Sequence, residues 1–288
     1  MRPDQSMPDG LSAEARAFYE HALKTLGIAQ VPFLVCGARA LEAYTGIGRT
    51  TKDLDIFIRR SDCERALHAL EVAGYKTELV FPHWLAKAYS DSLFLDVIFS
   101  SGNGQCEVDD SWFPYARDAE ILGVPVQLCP PEEMIWQQAF VMERERYDGA
   151  NVAHLIRALS GQLDWSRLLA RFGPHWRVLL AHLVLFGFVY PSHRTYVPAW
   201  VMRDLISRLD KELESRPSEE PICQGTLLSR AQYLIDVEQR GYQDARLAPQ
   251  GNLTREDVNR WTAPIPQEMR EHETSPEDQN DALEKARG

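Results

Sequence analysis

Two carboxylates interrupt one of the most apolar stretches of the chain, KDLDIFI at residues 52–58. Side chains two residues apart on a strand point to the same face, so a strand here projects Asp53 and Asp55 together while Leu54 and Ile56 face the other way. Two carboxylates that close repel each other unless water, a proton or a cation neutralises them. The stretch is therefore either an exposed edge strand or part of a cation-binding site.

The first 129 residues alternate strand-like and helix-like patterns. Ser12 is a helix N-cap, and the helix that follows to about Gly27 has its apolar residues on one face. Further short helices are predicted at residues 38–44, 61–73 and 82–90. Strands are predicted at residues 30–36, 53–60, 75–81, 92–101 and 123–129. This alternation predicts an α+β domain with a mixed sheet over residues 1–129.

From residue 130 onward the strand signals fade and helical periodicity takes over. Helices are predicted at residues 134–147, 150–159, 165–172, 176–190 and 199–213. Residues 130–263 are therefore assigned to a second, all-helical domain. Residues 264–288 contain seven acids and three bases and little apolar surface, which predicts a disordered acidic tail.

Charge and cysteine content exclude some classes of function. The 288 residues include 42 acidic and 31 basic side chains, for a net charge of -11, so no broad nucleic-acid-binding surface is expected. The five cysteines are scattered without a C-x-x-C pair, which argues against a disulfide framework or zinc ribbon and favours a cytoplasmic location. The apolar run at residues 178–190 is shorter than the roughly 20 residues of a membrane span, so it predicts a core helix and no membrane partner.

A third acid, Asp96, lies inside the apolar sequence FLDVIF at residues 94–99. If its strand is a neighbour of the one that carries Asp53 and Asp55, the three carboxylates can hold Mg²⁺ or Mn²⁺, which prefer oxygen ligands and share their coordination with phosphates. Two such ions can stabilise the attacking and leaving oxygens of an in-line phosphoryl transfer. The alternative is that Asp96 caps the turn after its strand.

Three sequence elements together resemble the nucleotidyltransferase superfamily with the polymerase-beta-like fold. They are Gly37-Ala38 before a short helix, RTTKDLDIFI at residues 49–58, and the later acid in FLDVIF. The bacterial minimal and toxin-type members are the most similar subset, since they carry Arg-x-Thr-x-Asp-x-Asp, which Arg49, Thr51, Asp53 and Asp55 match. Ala38 departs from the family pattern, in which glycine or serine is usual, and the spacing from Ala38 to Asp53 is slightly long.

The resemblance implies transfer of a nucleoside monophosphate from a nucleoside triphosphate (NTP) to an acceptor, with release of pyrophosphate. Asp53 and Asp55 would bind the metal ions that hold the triphosphate, and Asp96 would complete the acceptor-side metal and help to activate the nucleophile. The nucleotide-binding residues implied are Gly37, Ala38, Arg49, Thr51 and Lys52, with the side chains of Arg49 and Lys52 left open between phosphate and solvent. The acceptor is left open between tRNA, a protein and a small molecule.

The charged segment ERERYD at residues 143–148 has two interpretations. In one, it is a solvated helix face with ion pairs four residues apart. In the other, Arg144 or Arg146 reaches the triphosphate from the helical domain, and Asp148 orients it.

Two further functions stay open. One is a non-catalytic nucleotide-binding or interaction protein, which Ala38 favours and the acidic triad disfavours. The other is the toxic enzyme of a toxin-antitoxin pair, with an antitoxin-like protein partner.

Overall fold

The computed structural model describes residues 11–48 and 53–263. Within these residues, seven strands form one mixed sheet in the order β3-β4-β5-β2-β1-β9-β8. The strands are β1 (Leu34–Val35), β2 (Leu54–Phe57), β3 (Lys76–Phe81), β4 (Leu85–Ser90), β5 (Leu93–Ile98), β6 (Ser100–Ser101), β7 (Cys106–Glu107), β8 (Arg117–Ile121), β9 (Val124–Leu128), β10 (Ile222–Cys223) and β11 (Gln243–Asp244). The α+β fold class is thus confirmed for the N-terminal half.

Helices flank the sheet and make up most of the second half. They are α1 (Ala13–Ile28), α2 (Gly37–Thr45), α3 (Cys63–Val72), α4 (Pro131–Ala139), α5 (Gly149–Leu159), α6 (Trp165–Phe172), α7 (Trp176–Val189), α8 (Ala199–Leu213), α9 (Leu234–Gln239) and α10 (Arg255–Thr262). Helices thus predominate in the second half, as predicted, but the short strands β10 and β11 also lie there, so this half is not all-helical. The predicted acidic tail at residues 264–288 lies outside the described residues.

Helix α1 begins directly after Ser12, the N-cap residue predicted from the sequence. The hydroxyl of Ser12 accepts a hydrogen bond from the Ala15 N–H at 3.1 Å, which satisfies one of the unpaired donors of the first turn. The apolar face of the helix is buried, and it includes Phe18 and Leu26. This face anchors α1 against the sheet and against α3.

The order of the central strands fixes the position of the acidic residues. Strands β2 and β5 are parallel neighbours, and Asp55 lies directly opposite Asp96 in their register. Strand β1 lies on the other side of β2 and pairs with it antiparallel. The predicted proximity of the two acid-bearing strands is confirmed.

The helix predicted at residues 82–90 is wrong. Residues 85–90 form β4, which pairs antiparallel with both β3 and β5. Its sequence LAKAYS has weak strand propensity because alanine and lysine favour helices. Two flanking strands and the burial of Leu85, Ala86 and Ala88 override this preference.

The predicted helix at residues 134–147 is correct only in its first part. Helix α4 ends at Ala139, and the following residues form a turn closed by an antiparallel bridge between Met142 and Tyr147. The Glu143 carboxylate accepts a hydrogen bond from the Arg230 N–H at 2.9 Å, and the Met142 N–H donates to the Leu228 carbonyl at 3.0 Å. These long-range contacts stabilise the turn and prevent α4 from continuing through it.

The apolar stretch Trp165–Val189 covers α6, α7 and the 3₁₀ turn between them. By length and composition it could cross a membrane, and one third of its most apolar run of 18 residues is buried. In α7, Leu179, Leu183 and Phe186 pack into the core, whereas Phe188 is 82% exposed. The face of α7 that carries Leu179, Leu183 and Phe186 thus packs into the core, as predicted.

Buried side chains from both halves form one continuous core, which extends from Leu11 to Ala245. The division at residues 129 and 130 stays a prediction. Within the C-terminal segment, β10 and β11 form a short parallel ladder, and Leu227 and Ala245 of the same segment belong to the core. Next to this ladder, Arg246 and Asp244 form a fully buried ion pair at 2.6 Å, with 0% and 3% of their side chains exposed.

We expect Asp244→Ala to lower the free energy of unfolding by about 3 kcal/mol, because it leaves the Arg246 guanidinium buried without its partner. Asp236→Ala is the control, since it removes an exposed pair with Arg240 that is worth at most about 1 kcal/mol. Urea denaturation followed by tryptophan fluorescence measures both. Equal decreases in the free energy of unfolding of the two variants would contradict the importance of the buried Asp244–Arg246 pair.

Candidate functional site

The candidate site is centred on β2 and β5, where the register sets Asp55 opposite Asp96. Asp53 precedes β2 by one residue, on the side of Asp55. Burial raises the pKa of the Asp55 carboxyl to about 7, and the nearby negative charges of Asp96 and Asp53 add to the effect. Burial also raises the pKa of Asp96, against the opposing charge of Lys87. The structure therefore brings the three predicted acids together.

Gly37 allows the chain to pass directly beside Asp55. It opens α2 with a φ of +58°, and a Cβ at this position would lie 2.8 Å from the Asp55 Cγ and overlap the carboxylate oxygen. Only glycine combines that backbone conformation with so close an approach. Ala38 follows it in the first turn of α2, where backbone N–H groups lack partners within the helix. The predicted glycine thus lies at the acid cluster.

Lys87 of β4 is a component of the site that was not predicted. Its Nζ lies 2.9 Å from the Asp96 Oδ1 and 3.7 Å from the centre of the Phe94 ring. Lys87 and Asp96 are also direct partners in the antiparallel ladder. Asp96 therefore already has a positively charged partner within the protein.

The carboxylates of the site have the chemistry of metal ligands. Among residues 11–48 and 53–263, no group of three or more His, Cys, Asp and Glu side chains is arranged to hold a metal ion. Two carboxylates on one face, Asp53 and Asp55, suit a divalent ion that keeps several waters and binds phosphate. Asp96 differs from them because its Oδ1 lies 2.9 Å from the Lys87 Nζ. Its role as a third metal ligand stays a prediction.

The turn at residues 140–148 brings one of the two candidate arginines toward the acids. The Arg146 guanidinium donates to both carboxylate oxygens of Asp148, at 3.2 and 2.8 Å, and its charge acts to lower the pKa of Asp55. Arg144 pairs instead with Glu145, and its side chain is 82% exposed. The interpretation as a helix face with ion pairs four residues apart is wrong, because the segment is a turn.

Three of the predicted nucleotide-binding residues, Arg49, Thr51 and Lys52, lie outside the described residues. Their role stays a prediction.

Tyr19 and Arg39 are two further neighbours of the acids. Burial, with the charges of Asp53, Asp96 and Asp55, raises the pKa of Tyr19 well above its usual range, and Arg39 opposes this. The Tyr19 hydroxyl donates to the Phe94 carbonyl at 3.2 Å. Both residues lie in helices whose periodicity marks them only as core positions, so the sequence carries no signal for their proximity to the acids.

A sequence model for a family described as uncharacterised nucleotidyltransferases matches residues 22–182, more than half of the chain. No curated protein matches the chain significantly.

Solved structures with similar folds have low sequence identity. The antibiotic-resistance factor ANT(2'')-Ia in solution is 16% identical over 60% of this chain and 98% of its own, with a TM-score of 0.43. The lincosamide antibiotic adenylyltransferase LnuA, bound to lincomycin, is 15% identical over 50% of this chain and 96% of its own, with a TM-score of 0.36. A nucleotidyltransferase-like protein from Paracoccidioides brasiliensis is 14% identical over 66% of this chain and 94% of its own, with a TM-score of 0.40.

We expect Gly37→Ala to destabilise the protein by at least about 1–3 kcal/mol, since a side chain here is strained at positive φ and overlaps Asp55. Gly27→Ala in α1 is the matched control, because no atom lies within 4 Å of its added Cβ, and alanine stabilises a helix by about 0.5–1 kcal/mol relative to glycine. Thermal melting distinguishes the two. A Gly37→Ala variant as stable as the wild type would refute the close approach.

Proposed function

Since the chain belongs to this family of uncharacterised nucleotidyltransferases, we propose that it transfers a nucleoside monophosphate from an NTP to an acceptor and releases pyrophosphate. The observation that carries the proposal is the convergence of Asp53, Asp55 and Asp96 beside the backbone of Gly37. Buried like charges in this arrangement cost free energy, and a bound cation relieves that cost. This pattern is more typical of a functional site than of a structural one.

Asp53 and Asp55 are assigned to hold a divalent cation, Mg²⁺ or Mn²⁺. When bound, such an ion supplies positive charge to the triphosphate and to the leaving pyrophosphate. The first turn of α2, beginning at Gly37 and Ala38, offers backbone N–H groups to phosphate oxygens, and the helix dipole favours negative charge there. Arg146, oriented by Asp148, supplies a further positive charge on the side of the turn.

Asp96 is assigned to the acceptor. As the acceptor oxygen or nitrogen forms its bond to the α-phosphorus, the bond from that phosphorus to the pyrophosphate oxygen breaks. The proton of the acceptor group then passes to the Asp96 carboxylate, which acts as general base. Atoms and charge balance without a further reactant.

The identity of the acceptor follows from no described contact. The net charge of -11 disfavours a large RNA surface, which leaves a protein or a small molecule ahead of tRNA. All five cysteines are free, which suits the proposed cytoplasmic location. The toxin role and the antitoxin-like partner stay predictions.

A nucleotide-binding protein without catalysis is the second candidate. The observations that favour it are Ala38, which lacks the usual hydroxyl, and the ion pair of Asp96 with Lys87. Calorimetric titration with an NTP in the presence and absence of Mg²⁺ measures binding, and product analysis in the same samples measures turnover. Metal-dependent binding without any product would favour this candidate.

We expect Asp55→Asn to lower the rate of nucleotidyl transfer by at least about 100-fold, because it removes a carboxylate ligand of the cation whose positive charge stabilises the reacting triphosphate. Asp118→Asn, on the exposed face of β8, is the control and is expected to retain full activity. The assay incubates purified protein with Mg²⁺, each labelled NTP, and cellular RNA, protein or small-molecule extracts. Absence of metal-dependent transfer by the wild type would overturn the proposal.

We expect Arg146→Ala to raise the KM for the NTP by about 10-fold, equivalent to about 1.4 kcal/mol, because it removes a positive charge near Asp55. Arg144→Ala is the matched control two residues away and is expected to change KM by less than about twofold, since its partner is the exposed Glu145 rather than Asp148 at the start of α5. Steady-state kinetics with varied NTP measures both. The reverse ranking would show that the other arginine contacts the nucleotide.

A further inference from the structure

A lysine lies in the same row of the sheet as the two central acids. Lys87 on β4 is opposite Asp96 on β5, and Asp96 is opposite Asp55 on β2. Residues that are direct partners on neighbouring strands project to the same face. The row therefore presents one ammonium and two carboxylates on three adjacent strands.

Contacts on two sides hold the Lys87 ammonium in place. It lies 2.9 Å from the Asp96 Oδ1 and 3.7 Å from the centre of the Phe94 ring, where a cation–π interaction adds to the ion pair. Only 21% of the Lys87 side chain and 17% of the Asp96 side chain are exposed. Solvent screens a pair at this depth less than one at the surface.

The carboxyl groups near Asp96 favour this arrangement. Asp55 is the partner of Asp96 on the next strand, and Asp53 lies two residues before Asp55 on the same face. The residue opposite Lys87 on its other side is Glu78 of β3, which accepts a hydrogen bond from the Tyr89 hydroxyl at 3.3 Å. Lys87 thus lies between negative groups, and moving it out of the row would leave Asp96 without its counter-ion.

We propose that the Lys87 ammonium takes the place of the acceptor-side metal ion, so that this site binds a single divalent cation on Asp53 and Asp55. This inference rests on the proposed nucleotidyl transfer. Lys87 is a positioning residue: its ammonium lies against the Asp96 Oδ1 and fixes the orientation of that carboxylate. A divalent ion that approached Asp96 would meet the positive charge of the ammonium and would have to displace it. Lys87 itself exchanges no proton, and Asp96 remains the group that accepts the proton from the acceptor.

The experiment measures Mn²⁺ binding to the full chain in the presence of a nonhydrolysable NTP analogue. Electron paramagnetic resonance quantifies free Mn²⁺, and the spectrum of the bound ions shows whether two of them are spin-coupled. We expect one uncoupled Mn²⁺ per chain for the wild type and for Lys87→Arg, which keeps the charge. We expect a second, coupled Mn²⁺ for Lys87→Met, which keeps the length of the side chain without its charge.

Lys76→Met is the matched control. Lys76 lies on the adjacent strand β3 and also contacts an aromatic ring, that of Tyr89 at 5.9 Å, but it has no acid of the site as its partner in the ladder. Its substitution is expected to leave one ion bound. If Lys87→Met does not fold, as judged by circular dichroism and melting, Lys87→Gln provides the same loss of charge.

The outcomes separate the inference from the proposed function. Two coupled ions in the wild type, or a single ion in the folded Lys87→Met and Lys87→Gln variants, would overturn the role of Lys87 and leave the nucleotidyl transfer standing. No Mn²⁺ bound beyond that held by the free analogue, with no change on Asp55→Asn, would overturn both.

Discussion

The closeness of Asp55 and Asp96 is the constraint on which the rest of the site depends. Parallel pairing of β2 and β5 sets the two carboxyls opposite each other, and burial makes their shared negative charge costly. The surrounding structure accommodates the two carboxylates in two ways, one electrostatic and one steric. Lys87 neutralises Asp96 from one side, and Gly37 leaves room for the Asp55 carboxylate. Each of these neighbours is therefore explained by the acid pair.

The helical half contributes to the same site through a turn. Helix α5 packs against α2. The side chain of Asp148, at the start of α5, accepts hydrogen bonds from Arg146 and does not cap the helix. A helix interior could not have placed these two residues in a bidentate pair, because side chains two apart on a helix do not face each other. The break after α4 is thus what allows Arg146 to be oriented.

The sequence was most informative where a short pattern decides the geometry. The spacing of Asp53 and Asp55, the cap at Ser12 and the glycine that opens α2 each follow from local rules, and the structure shows all three. Lys87 could not be predicted, because LAKAYS has helical propensity and becomes a strand only between β3 and β5. The turn at residues 140–148 was missed for a related reason, since contacts with residues 228–230 determine it.

Charge balance connects these features. Asp55 and Asp96 are buried side by side, so a proton, a cation or a positively charged side chain must offset their like charges. Lys87 supplies such a charge next to Asp96, and the charge of Arg146 acts on Asp55 from the turn at residues 140–148. One divalent ion on Asp53 and Asp55 adds to this compensation, whereas a second ion at Asp96 would have to compete with Lys87. An NTP brings further negative charge, and Arg146 together with the N-terminus of α2 lies where it can meet that charge. The fixed ammonium of Lys87 therefore offsets part of the negative charge of the acids before the nucleotide binds. Unlike the charge of a metal ion, it does not depend on metal concentration.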